Sequence, residues 1–445
     1  MGPVFQEIIE IAIPKLKEAL SQESEKWDSD AWEQEVRQFI RQLGQGLLRT
    51  WTEVKTIEAG FRARFCPCGQ KRQVDKQEPF WWLTIFGQVC TEVPELRCPK
   101  CHGRDRPFQR LTGLRCRGKS LALERVLTDF GAEKSYARAS SQLKEHYGIE
   151  LDPSSIRQVV IKQASRAEEL VTKEHQGAIA SYQREKRRRD GAPCLIVESD
   201  GCMVRTGKLE LDPQGGLSPK RLSPKRRRQT QWKEVRLSTV QLPQEDKRGY
   251  AAVLGLPPRV GEQMFALALC WGYGDNTWVH GVGDGAPWIA QQMAEVFPRH
   301  SYLLDRYHLL EHIYGGVAAL PGYSAEAVAE WVAEQVARID QNKVGEVVAE
   351  CRTKACSEPG RTADGGEHPL SQLARYLEHQ KEHLDYKRAR EEGLPIGSGA
   401  VEGGHRHVIQ ARIKLPGTWW KEESINPMLA LRTLRANGQW EAFWN

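Results

Sequence analysis

The chain has 445 residues, of which 40% are hydrophobic and 27% charged. This balance excludes a wholly disordered polymer and leaves room for two or three domains. No apolar run reaches the roughly 18 residues that span a bilayer, and Glu7, Glu10 and Lys15 break the N-terminal stretch where a signal peptide would be apolar. A cytoplasmic, nucleoid-associated protein is expected. The net charge of +6 is concentrated in REKRRR at 184–189 and PKRLSPKRRR at 219–228. Clustered cations gain most from phosphate, because each contact releases counterions. A solvated charge run in a flexible loop gives the same pattern. The 11 cysteines are odd in number and unevenly spread, which argues against a disulfide framework and for metal ligation by a subset.

In chain order, residues 1–60 read as an N-terminal helical region. Ile8, Ile11 and Leu16 mark one amphipathic helix, shortened by Pro14; Leu43, Leu47, Leu48 and Trp51 mark another, weakened by Gly44 and Gly46. Residues 61–117 read as a zinc-ribbon-like module. Its close pairs Cys66/Cys68 and Cys98/Cys101 flank a strand-rich segment, and four thiolates suit a structural, tetrahedral Zn²⁺. The first pair has a single intervening residue, so Cys90, Cys116 or His102 remain alternative ligands.

Residues 118–190 read as a helix-turn-helix region. Ser135 caps a helix running to Tyr147, Gly148 stops it, and Asp152-Pro153 opens a second helix. That helix exposes Arg157, Gln158 and Lys162, the residue types that a recognition helix presents to the major groove. An ordinary helical hairpin would show the same spacing.

Residues 191–315 alternate strands and helices. The spacing predicts a strand over 194–200 ending at Asp200, a short return strand over 202–206, and a basic loop over 207–231. A third strand is expected over 235–240, then a helix over 260–273, a strand ending at Asp284, a helix, and a strand ending at Asp305. A helical insertion is expected over 316–392, and 393–445 brings Glu402 in a glycine-rich turn before a helix. Attack on a phosphodiester needs an activated oxygen and a stabilised leaving oxygen, and two Mg²⁺ (or Mn²⁺) ions serve both. Such ions want carboxylates. Asp200 would bridge the pair, with Asp284 and Glu402 each holding one ion. A single strand-end Asp is more commonly a cap, so the weight rests on the order and the glycine punctuation.

Three motifs, GDGAPWIA at 283–290, LLDRYHLLEH at 303–312 and PIGSGAVEGGHRHVIQARIK at 395–414, resemble insertion-sequence transposases of the ISKra family, related to Mutator-type transposases. So does the tail LALRTLRANGQWEAFW at 429–444. The resemblance implies an α/β fold with a ribonuclease-H-like catalytic core and a helical insertion before the last acid. It implies a DDE transposase that binds double-stranded DNA, as transposon ends and target, and works as a homodimer or larger homo-oligomer. Asp305 and His308 match a D-x-x-H element expected to touch DNA. Arg406, Arg412 and Lys414 are expected to hold phosphates, and Trp419 or Trp420 to stack a base or pack a core. A non-cutting DNA-binding regulator and a stand-alone nuclease are the competing readings.

Overall fold

The structure is a computed structural model, and it describes residues 13–14, 29–184, 190–211, 226–318, 324–357 and 367–445. The helix expected around Ile8 to Leu16 lies outside these residues except at Ile13–Pro14, which are helical. Residues 185–189 and 219–225 of the two basic clusters also lie outside. The chain divides into two compact units, residues 1–131 with 136–160, and residues 132–135 with 161–445.

In the first unit, helix α1 (Ser29–Arg62) is followed by an antiparallel hairpin, β1 (Gln73–Thr84) and β2 (Gly87–Arg97). Two-residue strands β3 (Arg104–Asp105) and β4 (Gly118–Lys119) flank it, giving the order β3-β2-β1-β4. Ala59 and Leu48 of α1 share a core with Phe80, Trp82 and Val89 of the hairpin and Phe108 of the short helix Pro107–Thr112. Helix and ribbon therefore bury one apolar surface together, because so small a sheet cannot cover its own face. Gly44 lies inside α1 for the same reason: a Cβ there would meet the Phe86 ring at 2.5 Å. A glycine expected to weaken the helix is what lets it lie on the ribbon.

Helices α2 (Leu121–Glu133), α3 (Tyr136–Tyr147) and α4 (Pro153–Arg184) follow. Gly148 has φ 61° and donates to Lys144 O, which closes α3. Asp152 accepts from Ser154 N at 2.8 Å and opens α4.

The second unit is built on a five-stranded sheet of order β7-β6-β5-β8-β9. Its strands are β5 (Cys194–Leu211), β6 (Arg226–Gln241), β7 (Gly249–Leu254), β8 (Trp278–Gly283) and β9 (His300–Leu304). The sequence-based strands need correction here. Residues 194–200 and 202–206 belong to one unbroken strand, and the described ends of the expected basic loop, 207–211 and 226–231, are strand in a long hairpin of β5 with β6, while 212–225 lie outside the described residues. The expected strand over 235–240 is the inner part of β6, and the strand that sequence reasoning missed is Gly249–Leu254, whose small residues carry little β signal. Helices α5 (Pro257–Cys270) and α6 (Pro287–Val296) cover one face through Val260, Met264, Leu267, Ile289 and Met293. Helix α7 (Arg306–Ala318) and helices over Ala325–Ile339, Val344–Ser357 and Pro369–Gln380 build a separate helical core around Leu309, Ile313, Trp331, Val347 and Leu373. Helix α8 (Gly399–Gly404) continues through a π-helical stretch (His405–Gln410), and α9 (Ile425–Ala436) packs against β7. Gly404 permits the approach of α8 to the sheet, since a Cβ there would meet Leu237 at 2.7 Å. No helix among the described residues is long and apolar enough to cross a membrane.

Candidate functional site

The first two acids are brought together by strand register. β5 pairs with β8 in parallel, from Cys194 opposite Trp278 to Glu198 opposite Val282. Two residues further along each chain stand Asp200 and Asp284. Asp200 is half-buried; one oxygen accepts from Gly201 N at 2.6 Å and the other lies 3.1 Å from His405 Nε2. Asp284 accepts from Ala286 N at 2.8 Å, at the entry to α6.

Glu402 arrives from 118 positions downstream of Asp284, and several contacts hold its segment. His280 Nε2 of β8 lies 2.8 Å from Pro395 O, and Arg306 N donates to Ile396 O at 3.0 Å. Asp305, at the end of β9, accepts from Ser398 N at 2.5 Å and from Ser398 Oγ at 2.7 Å. Glu198 of β5 accepts from Val401 N at 2.8 Å. Residues 395–401 are thus fastened to three neighbouring strands, and Glu402 follows directly. Its own carboxylate is exposed and makes no hydrogen bond or ion pair with the described residues.

The electrostatics follow from burial. Glu198 is 2% exposed, and burial pushes its pKa up to about 7 against the N–H groups of Val401 and Ala400. Asp305 is also buried, but Ser398, His308 and Tyr307 outweigh desolvation and hold its pKa below the ordinary value. For His405, burial favours the neutral ring, yet hydrogen bonds to Asp200 and Cys202 raise its pKa to about 9. Sequence reasoning missed Glu198, Ser398, His280 and His405. Two had a signal: Glu198 shares the face of Asp200 at a spacing of two, and His405 follows Glu402 by three on a helix.

Two site expectations are corrected. Asp305 does not present its carboxylate to a surface; its oxygens cap α7 through Tyr307 N and His308 N and tether Ser398. Arg412 is 2% exposed with its guanidinium 4.6 Å from the Trp420 ring centroid, so it packs a core rather than offering a cation to phosphate. His308 is half-buried with Nδ1 3.3 Å from Glu311, while Arg406 and Lys414 are exposed. Trp419 is half-buried beneath Arg228, and Arg157, Gln158 and Lys162 all lie on exposed positions of α4. Replacing Asp305 by Ala orphans buried N–H groups and a helix cap, and should cost roughly 2–4 kcal/mol of stability. Asp305→Asn, which keeps one acceptor, should cost less; thermal unfolding of the two variants checks this.

In the first unit, the Sγ atoms of Cys66, Cys68, Cys98 and Cys101 lie within 4.8 Å of one another. Cys66 and Cys101 are 3.4 Å apart, Cys68 and Cys98 3.5 Å. Tetrahedral coordination at about 2.3 Å per bond sets sulfurs about 3.8 Å apart, so the cluster can hold a zinc-sized ion. The N–H groups of Cys101 and Lys100 hold the Cys98 thiol down to about 6. Cys90 and Cys116 lie elsewhere, against Gln88 and Pro79. Among the described residues, this is the group of three or more His, Cys, Asp or Glu drawn so close. Asp200, Asp284 and Glu402 do not approach one another to that distance.

Residues 270–442 match the family model described as Uncharacterised protein family (UPF0236). No curated protein matches the sequence. Among solved structures, the chain is similar to the Drosophila P element transposase strand transfer complex, at 9% identity and a TM-score of 0.35, over 74% of this chain and 94% of that one.

Proposed function

We propose that the chain is a DDE-type DNA transposase of the ISKra type with a ribonuclease-H-like core, binding the ends of an insertion sequence and catalysing metal-dependent cleavage and strand transfer. The observation that carries this is the register of β5 and β8, which sets Asp200 within β5 and Asp284 just past the end of β8 on neighbouring strands, while Glu198, Asp305 and His280 fasten the segment that leads into Glu402. A fold that needed these acids only as caps would have no use for that clamp. The mixed strand order, with β5 central and parallel to β8, supports the ribonuclease-H-like reading.

The donor set suits magnesium: three carboxylates, of which Glu402 has no internal partner among the described residues. Asp200, Asp284 and Glu402 are the residues that would hold such ions. When bound, the ions would supply an activated oxygen nucleophile and stabilise the leaving oxygen. The chain's own part is to orient. His405 holds Asp200, the clamp holds Glu402, and exposed Arg406 and Lys414 offer cations to the phosphate backbone.

End recognition is assigned to α3 and α4, with Arg157 and Gln158 exposed on the first turns of α4. Arg157→Ala should weaken binding to element ends by about 1–3 kcal/mol and leave thermal unfolding unchanged. Unchanged affinity would remove α4 from recognition. The cysteine cluster is assigned a structural Zn²⁺. A homodimer or larger assembly is proposed on chemical grounds, because two ends must be joined.

The test is incubation of the protein with labelled element ends and Mg²⁺ or Mn²⁺, beside Asp284→Ala. Cleavage lost in the variant supports the transposase. Binding with no cleavage by the native chain makes it a regulator, and cleavage without preference for the ends makes it a nuclease.

A further inference from the structure

The hairpin of β5 and β6 is far longer than the sheet needs. β8 pairs with β5 only over Cys194–Glu198, and β7 pairs with β6 only over Val235–Val240. Beyond them, residues 203–211 and 226–234 run on as a two-stranded ribbon, met on one edge by Trp420 at Arg205 and Gly207. Nine cross-strand pairs at about 3.3 Å each extend roughly 30 Å.

One face of this ribbon is unusual. Cross-strand partners share a face, so Arg205 stands with Trp232, Gly207 with Thr230, and Leu209 with Arg228. Trp232 is 61% exposed, Leu209 49% and Met203 47%. Trp419 covers the same face at Gly207, with Arg228 5.3 Å from its ring centroid. Apolar exposure on this scale marks a surface that meets a partner. The charge says which kind. On this face, among the described side chains, Arg205 and Arg228 stand with one acid, Glu234, which is already paired to Arg236. The opposite face carries Arg227, Lys208 paired to Glu210, and Lys233 paired to Glu422.

We propose that this ribbon is a duplex-DNA-binding arm, with Arg205 and Arg228 on phosphates and Trp232 against a groove wall or sugar. A two-stranded ribbon fits the roughly 12 Å major groove, and the arm's length is close to one helical turn, about 34 Å. Because the arm continues the strand that bears Asp200, DNA lying along it is led to the acids. This inference extends the transposase reading by naming a second contact surface for its substrate.

The test uses the full chain in buffer without added divalent ion and a fluorescein-labelled, mixed-sequence duplex of several helical turns, read by anisotropy across a salt series. Arg205→Glu/Arg228→Glu/Trp232→Ala should bind at least about tenfold more weakly, with a slope of log affinity against log salt shallower by roughly 2. The charge-preserving Arg205→Lys/Arg228→Lys/Trp232→Phe should stay within about threefold of the native chain. Equal affinity and slope in the charge-reversed variant, or no DNA binding by the native chain, overturns the arm. So does loss of self-association in sedimentation with DNA affinity unchanged, which would make the face a contact between copies. Cleavage is scored separately. A native chain that binds through the arm but never cuts sinks the transposase reading and leaves the arm standing; one that cuts with the arm reversed and binding intact does the opposite.

Discussion

Asp200→Asn and Asp284→Asn should each lower Mg²⁺-dependent cleavage of element ends by at least about 10³-fold, a barrier increase of about 4 kcal/mol. The expectation follows from the position of the two acids on neighbouring strands, Asp200 within β5 and Asp284 just past the end of β8, where each Asn is nearly isosteric but gives up the charge a divalent ion needs. DNA binding should change little in either variant, and thermal stability little in Asp284→Asn, whose side chain keeps an oxygen for the Ala286 N–H; Asp200→Asn also gives up the charge beside buried His405 and should melt at a lower temperature. Glu402→Gln should behave alike, since its carboxylate makes no described internal contact. Glu198→Gln should separate from these. The side chain serves as an acceptor for Val401 N, which an amide oxygen can also provide. Activity should therefore survive in large part, whereas Glu198→Leu, which leaves that N–H orphaned and frees the segment before Glu402, should cut turnover with less effect on DNA affinity. Cleavage that persists undiminished in Asp200→Asn and Asp284→Asn, measured on end-labelled DNA in gels, would remove catalysis from this site.

The second large effect concerns the cysteine cluster. Freshly purified protein should contain close to one zinc per chain, and its removal by a strong chelator, or Cys98→Ser, should unfold the ribbon and the end of α1 packed on it. Structural zinc in small modules supplies on the order of 10 kcal/mol of folding free energy, more than the small core of Phe80, Trp82, Val89 and Phe108 can replace. The loss should appear in elemental analysis and in the circular dichroism of the first unit. Cys90→Ser and Cys116→Ser should be silent, because neither sulfur lies in the cluster. A native chain with no bound zinc and an unaltered melting curve after chelation would refute the assignment.

Much of the arrangement was legible in the residues themselves. Periodicity gave the strands ending at Asp284 and Asp305, and turn chemistry gave the break between α3 and α4 at Gly148-Ile149-Glu150-Leu151-Asp152. The cysteine pairs gave the cluster, since ligand spacing is a local property. What failed was non-local. β7 has the composition of a loop or helix segment, and only pairing with β6 makes it a strand. The hairpin looked like a basic loop because charge carries no signal of cross-strand pairing, and its outer part makes ladder hydrogen bonds without a core.

The sequence by itself determined which residue types could do chemistry: three acids spaced through an alternating α/β region, two cysteine pairs, and the caps and stops that bound their helices. These follow from short-range rules, in which a glycine, proline or paired thiol acts within a few positions of itself. Only the tertiary structure decided which of the polar residues serve the site and which support it. Asp305 and Arg412 read in sequence like groups that touch DNA, and Trp420 as a base stacker or a core residue, yet burial turns the first into a tether and the other two into a stacked pair. Glu198 and His405 gave the reverse case, because Glu198 meets Val401 N, and His405 meets Asp200, only after the sheet has formed. Burial and long-range hydrogen bonding are properties of the assembled core, and no local pattern encodes them.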